Sequence, residues 1–132
     1  MKHLKLAITM ILLSVQPVWA EQLKSISITS ENDDGWMHYA IDIDSIKKDG
    51  KFRMIKVISD AWAYTKYDEI SWRSKEEYDC YEERVRTHEW FSFSDVGGKG
   101  KLIRTQVNST PQWKRVRPES PNSKVLKIVC AK

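Results

Sequence analysis

The stretch that decides the fold is residues 120–130, SPNSKVLKIVC, the last patterned segment of the chain. Ser120 is a good helix N-cap, and Pro121 occupies the first helical position, where a missing N–H does no harm. Apolar residues then recur at helical spacing; they are Val125, Leu126, Ile128 and Val129. A helix of only about three turns is not stable alone in water. We therefore expect it to dock its apolar side on the rest of the domain.

Upstream of this helix, the chain is patterned as strands. No proline occurs between Pro17 and Pro111, and apolar and polar residues alternate over several short stretches, which predicts half-buried β-strands. We expect strands at 25–30, 37–43, 51–64, 71–83, 85–93 and 101–107, with a short extension at 113–117. The predicted fold class is α+β: an antiparallel sheet of about six strands with a C-terminal helix packed on one face.

Some parts of this sheet are patterned less regularly. Residues 44–50 are predicted to form a short helical turn that closes at Gly50, where a positive φ is available. In the strand at 51–64 the alternation slips near Met54, which indicates either a bulge or a central strand covered on both faces. In the next-but-one strand, Val85, Thr87, Phe91 and Phe93 are expected on one face, and Arg86, His88 and Trp90 on the other. The five tryptophans after residue 20 are expected in the core and against the helix, and the alternative places one or two of them on a binding surface.

The N-terminus has the three regions of a secretory signal peptide. A basic start is followed by an apolar run at 6–15, and Val18 and Ala20 supply small residues at the −3 and −1 positions. The run of about ten residues is well short of the roughly 20 that span a bilayer, although an uncleaved anchor is the alternative. We expect cleavage of residues 1–20, leaving a single domain at 21–132 that is periplasmic or secreted. Glu21 stands where a lipid-attachment cysteine would, so we expect no lipid anchor and no transmembrane span after processing.

The two cysteines, Cys80 and Cys130, remain after this processing. In an oxidising compartment they should pair, whereas a reactive thiol pair or a metal site are the alternatives. There is no Cys-x-x-Cys motif, and His38 and His88 lie at no ligand spacing to either cysteine. A bridge closing about 50 residues stabilises a fold by roughly 4 kcal/mol.

Composition and charge exclude several classes of protein. Hydrophobic residues make up 41% and charged residues 30% of the 132 residues, as in a globular chain. The net charge of +4 falls to +2 when Lys2 and Lys5 are removed with the signal peptide. A balance this close to neutral does not favour a nucleic-acid-binding protein.

The predicted elements together resemble the bacterial surface-adhesin protein E family. The resemblance covers roughly residues 36–130, from the strand Tyr39-Ala40-Ile41-Asp42-Ile43-Asp44-Ser45-Ile46 through Gly50 and the strand 52–58. It continues through Glu77-Tyr78-Asp79-Cys80, Gly98-Lys99-Gly100 and the helix that ends in Val129-Cys130. It implies an antiparallel sheet with a C-terminal helix, a Cys80–Cys130 bridge and no enzymatic activity. It also implies binding of host matrix proteins such as vitronectin or laminin.

Catalytic, metal and cofactor motifs are not found in the sequence. Asp42-Ile43-Asp44 begins like a calcium loop, but Lys47 stands where that loop needs glycine. Residues 97–101 lack the spacing of a phosphate-binding loop, and no nucleophile motif is present. We therefore expect no enzyme activity, no catalytic or metal residues, and no cofactor.

Clusters of basic and aromatic residues are the candidate binding residues; they are Arg73, Lys75, Arg84, Arg86, Trp113, Lys114 and Arg115. Arginine makes bidentate contacts with acidic groups and tryptophan offers stacking area. Such residues suit host matrix glycoproteins or acidic envelope glycans, although a solvated sheet face with internal ion pairs is the simpler interpretation. The alternative function is a periplasmic envelope protein without a host ligand, either an assembly factor or a small inhibitor of a wall-degrading enzyme. An exposed sheet edge also makes a homodimer conceivable.

Overall fold

The computed structural model describes residues 23–28 and 37–131, and of residues 23–28 only the course of the backbone. The predicted signal peptide, residues 1–20, lies outside these ranges. The strands are β1 Leu23–Ile28, β2 Met37–Asp42, β3 Lys47–Asp49, β4 Phe52–Ala61, β5 Ser71–Asp79, β6 Arg84–Asp95, β7 Lys99–Val107 and β8 Lys114–Arg115. One 3-10 turn, Ile43–Ser45, and one α-helix, α1 Pro121–Val129, complete the described residues.

The strands form one antiparallel sheet in the spatial order β1-β2-β4-β5-β6-β7, with β3 beside β4 and β8 beside β6. Each long strand therefore lies next to its neighbour in sequence, which is the meander that short polar turns between strands produce. The predicted antiparallel α+β fold is confirmed.

The core lies between the sheet and α1. Ser120 caps the helix by accepting a hydrogen bond from the Ser123 N–H at 3.2 Å. The buried residues of the core come from five strands or strand ends and from the helix; they are Ile41, Ile55, Val57, Tyr78, Val85, Val116, Val125, Leu126 and Val129. Full burial of one such side chain contributes roughly 1.5–3 kcal/mol, so docking on the sheet stabilises a helix too short to persist alone.

A disulfide fastens the end of this helix to the sheet. Cys130 follows α1, Cys80 follows β5, and their Cα atoms are 5.6 Å apart. The predicted Cys80–Cys130 bridge is therefore present, and it closes a segment with a sequence separation of 50.

The prediction of a helical turn over residues 44–50 is wrong in its second half. The 3-10 turn ends at Ser45, whose hydroxyl accepts a hydrogen bond from the Lys56 N–H at 3.0 Å. This contact brings the chain back against β4, so Lys47–Asp49 pair with β4 as a short strand. Gly50 then closes the turn with a φ of 56°.

The irregularities of the sheet lie between β5 and β6 and between β6 and β7, not near Met54. β4 pairs with β5 in unbroken register from Phe52 to Asp60, so no bulge lies at Met54. β4 is a central strand, but it is not covered on both faces, because Lys56 is exposed. Between β5 and β6 the register shifts, because Lys75 faces Glu89 while the adjacent Glu76 faces Thr87. His88 is the additional residue of this bulge.

The bulge at His88 reverses the faces predicted for the second half of β6. Beyond it, Trp90 shares a face with Val85 and Thr87, whereas Phe91 and Phe93 share a face with Arg86. Trp36 lies outside the described residues, and for the other four tryptophans the expectation of core positions is wrong, because the buried core contains none of them. Trp62 is 62% exposed, and Trp72, Trp90 and Trp113 are half-buried.

Candidate functional site

The helix covers only one face of the sheet, and we call the other face the open face. Directly opposed residues of neighbouring strands share a face. Two rows therefore cross the open face at its centre. One row is Lys56, Lys75 and Glu89, and the other is Ile58, Arg73 and Phe91.

At one end of the open face, Trp113 lies over two of the predicted binding residues. Its ring stacks on Phe52 with centroids 5.8 Å apart. The guanidinium groups of Arg84 and Arg86 lie 4.6 and 4.3 Å from its centroid, within the range of cation–π attraction. We call Phe52, Arg84, Arg86 and Trp113 the Trp113 cluster. These contacts fix the segment before β8 onto the sheet.

Arg84 is further bound to a buried carboxylate. Asp79 is completely buried and lies 3.0 Å from Arg84 Nε and 3.6 Å from Lys51 Nζ. Burial raises the pKa of Asp79, but hydrogen bonds lower it by more. The donors are the Glu82 N–H, Arg84 and the Tyr81 N–H, and they hold the pKa of Asp79 below its usual range. Asp79 is therefore an ionised structural residue that organises the turn between β5 and β6.

Arg86 is also ion-paired within the fold. Its Nε lies 2.5 Å from Glu77 Oε1, and His88 Nε2 lies 2.9 Å from the same oxygen. Burial raises the pKa of Glu77, but the hydrogen bonds from His88 and Arg86 lower it by more. The pKa of Glu77 therefore lies below its usual range. The charges of Arg84 and Arg86 are thus engaged by carboxylates of the same face.

Lys114 and Arg115 lie at the margin of the sheet, on β8. In the register Lys114 is opposite Val85, whose side chain faces the helix, and Arg115 is opposite Arg84 on the open face. Both are exposed. The structure therefore divides the seven predicted binding residues into the Trp113 cluster, this margin, and a central pair, Arg73 and Lys75.

The central pair lines a pocket of about 210 Å³ on the open face. The side chains that define its chemistry are Asp42, Lys56, Ile58, Arg73, Lys75, Glu89 and Phe91; we call this the central pocket. Arg73 is oriented by a hydrogen bond from its Nε to the Gly98 carbonyl oxygen at 3.0 Å. The turn between β6 and β7 thus positions a cation at the pocket.

The cations of the central pocket differ from Arg84 and Arg86 in their partners. Within residues 37–131, none of Lys56, Arg73 and Lys75 forms an ion pair with a carboxylate. Lys56 and Lys75 are directly opposed on β4 and β5. Like charges in that position destabilise a sheet, so an anion from outside would relieve the repulsion.

Sequence reasoning missed Lys56, Asp42, Glu89 and Phe91 as members of this pocket. Lys56 could have been found, because it is a charged residue inside an otherwise apolar strand and has the parity of Ile58. Glu89 and Phe91 could not, because the bulge at His88 decides which face they occupy.

The loop between β4 and β5 is a second surface that sequence reasoning did not single out. It exposes Trp62, Tyr64 and Tyr67, which are 62%, 57% and 47% accessible. Buried Glu69 supports the loop, since Arg104 donates to its two carboxylate oxygens at 2.7 and 2.8 Å. The Arg104 hydrogen bonds hold the pKa of Glu69 below its usual range against the effect of burial. Aromatic residues are enriched in protein interfaces relative to the rest of the surface.

The part of the chain that the structure describes contains no group of three or more His, Cys, Asp or Glu residues able to hold a metal ion. No helix among the described residues is both long and apolar enough to cross a membrane.

The fold and the open face define a small β-sheet domain with one docked helix and a charged, solvent-facing sheet surface. The chain belongs to the surface-adhesin protein E family, whose sequence model matches residues 26–131. Membership implies an exported protein, and it suggests a non-enzymatic role that includes host binding.

Solved structures of Haemophilus influenzae protein E have the same fold. Crystal form II is 16% identical with a TM-score of 0.53, covering 80% of this chain and 87% of the other. The selenomethionine form is 15% identical with a TM-score of 0.55, covering 81% and 85%. No curated protein matches the sequence significantly.

Proposed function

We propose that this chain is an exported, non-enzymatic adhesin that binds host matrix glycoproteins such as vitronectin or laminin through the open face. The observation that carries this proposal is the group of cations in the central pocket, Lys56, Arg73 and Lys75, which lack carboxylate partners within residues 37–131. The cations of the Trp113 cluster, Arg84 and Arg86, are instead already paired with carboxylates.

The aromatic loop between β4 and β5 supports a protein partner. Tryptophan and tyrosine are enriched among residues that dominate binding energy, and Trp62, Tyr64 and Tyr67 are exposed on a loop held by Glu69. The charged pocket and the loop would play different parts, the first in electrostatic attraction and the second in close packing.

Binding of the processed protein to immobilised vitronectin and laminin tests this proposal. We expect saturable binding at low salt that weakens as salt screens the open face. The double variant Lys56→Gln/Lys75→Gln should bind about tenfold more weakly, because it removes two charge-assisted contacts. The matched control is Lys124→Gln/Lys127→Gln, which removes the same charge from the exposed side of α1 and should bind like the parent.

Two outcomes would contradict the proposal. One is the absence of binding to either matrix protein at low salt. The other is a periplasmic pool that proteases cannot reach on intact cells, which would favour an internal envelope role such as assembly or inhibition of a wall-degrading enzyme.

A further inference from the structure

The central pocket has the size and lining of a site for one small polar ring. Its volume of about 210 Å³ is below the range usual for drug-sized ligands. Phe91 and Ile58 supply an apolar floor, and Ile58 is only 8% exposed. The charged side chains stand around this floor, so a ligand would meet an apolar surface below and ionic groups at the sides.

Three of the charges form a row across the sheet, in which the two cations are adjacent. Lys56 and Lys75 are adjacent across the β4–β5 pair, and Glu89 flanks Lys75 on β6. Asp42 also lines the pocket. Within residues 37–131, neither Asp42 nor Glu89 is ion-paired. The pocket therefore offers two opposed ammonium groups, and two carboxylates without cationic partners. The third cation, Arg73, is already hydrogen-bonded to the Gly98 carbonyl oxygen.

This arrangement selects a ligand with one anionic group and several hydroxyl groups. The opposed lysines favour a carboxylate between them, because it would offset their mutual repulsion. Asp42 and Glu89 would repel the further charges of a polyanion, whereas they can accept hydrogen bonds from hydroxyl groups. An acidic peptide or a densely sulfated chain would pair with the lysines, but its further negative charges would be repelled by Asp42 and Glu89.

We infer that the central pocket binds a single carboxylated sugar residue, a uronic or sialic acid, with its carboxylate between Lys56 and Lys75 and its ring over Phe91. The inference rests on the proposed function, because it names the part of a host glycan that the open face recognises. Glycosaminoglycans and sialylated glycoproteins are two sources of this same chemistry.

Titration of the processed protein with defined oligosaccharides, followed by calorimetry and by NMR shifts, tests the inference. The probes are a hyaluronan tetrasaccharide for uronic acid and 3′-sialyllactose for sialic acid. The carboxyl-reduced tetrasaccharide and lactose are the neutral counterparts, and a glutamate tetrapeptide is the polyanion. We expect at least one acidic sugar to bind, with amide shifts around Lys56, Lys75 and Phe91, and its neutral counterpart to bind about tenfold more weakly. Which probe binds identifies the source.

The variants Lys56→Gln/Lys75→Gln and Phe91→Leu should lose sugar binding by a similar factor. The double lysine variant removes a repulsion and should remain folded, which thermal unfolding will show. Lys124→Gln/Lys127→Gln is the control and should bind sugar like the parent. Equal binding of acidic and neutral sugars, stronger binding of the glutamate peptide, or an unchanged affinity of the lysine variant would each overturn the inference.

Failure of this inference is distinguishable from failure of the proposed function. If vitronectin or laminin binds but neither acidic sugar binds or competes, the sugar site is wrong and the adhesin proposal stands. If neither matrix protein binds at low salt, the adhesin proposal fails, whatever the sugars do.

Discussion

At the scale of single residues, Glu76 is a carboxylate that the fold leaves without a cation among the described residues. It lies on the face of β5 that carries Tyr78, whose hydroxyl donates to Glu76 Oε2 at 2.7 Å. Burial raises the pKa of Glu76, and the hydrogen bonds from Tyr78 and Ser74 offset this only in part. Burial and the nearby Glu76 charge also raise the pKa of Tyr78.

The variant Glu76→Gln should be more stable than the parent at neutral pH. A carboxyl with a raised pKa holds its proton more tightly in the folded than in the unfolded state. The parent therefore loses stability as the pH rises from the carboxyl's unfolded-state pKa through its raised folded-state pKa. Glutamine keeps an oxygen for the Tyr78 hydroxyl and removes this loss. We expect a gain of roughly 1 kcal/mol at pH 7 and a smaller one near pH 4. Thermal unfolding across this range checks it; a uniform loss of stability would contradict the assignment.

Gly98 links the β6–β7 turn to the central pocket. Its φ is 67°, and a Cβ there would lie 2.7 Å from Arg73 Cγ. Gly97 has a similar φ of 72°, but a Cβ there would meet nothing within 4 Å.

Gly97→Ala therefore reports backbone strain alone, which costs about 1 kcal/mol. Gly98→Ala should cost more, and it should also weaken ligand binding by displacing Arg73. Urea unfolding and the binding assays measure the two effects; equal results for both variants would show that Arg73 is not displaced.

At the scale of elements, α1 depends on its attachments more than on its own propensity. It has nine residues, and isolated helices of that length are marginal. The Cys80→Ser/Cys130→Ser variant should lose roughly 4 kcal/mol, the chain-entropy value for a loop of this length. Urea unfolding of the oxidised parent, the reduced parent and the variant checks this. The reduced parent should unfold like the variant, and a midpoint unchanged by reduction would refute the prediction.

Patterning predicted the elements that depend on local residue chemistry. The cap at Ser120 and the strands follow from short-range sequence signals. The cysteine pair follows from the presence of two cysteines in an exported chain. The bulge at His88 does not, because β6 reads as regular alternation until its pairing with β5 is known. That one extra residue moves Phe91 to the open face and Trp90 to the helix side. The central pocket was predicted only in part, because Glu89 and Phe91 depend on this bulge, while Lys56 and Asp42 were overlooked on β4 and β2.

At the scale of the whole molecule, the sheet separates its functions by face. The helix face contains the buried core. At one end of the open face, the arginines of the Trp113 cluster are ion-paired with carboxylates. At the centre of the open face, the cations of the central pocket are available to a ligand. β7 forms one end of the strand order, and a homodimer through a sheet edge stays a prediction that sedimentation at increasing protein concentration can check.

The Cys80–Cys130 bond has a mechanical consequence under the proposed adhesin function. Tension applied between the chain termini passes through the disulfide directly between residues 80 and 130. The segment between these residues, which contains β6, β7, β8 and α1, therefore bears no tension. The bond hides about 50 residues, or roughly 170 Å, from extension. In single-molecule pulling, the oxidised protein should lengthen by that much less than the reduced one. Equal extension would show that the bond does not carry the load.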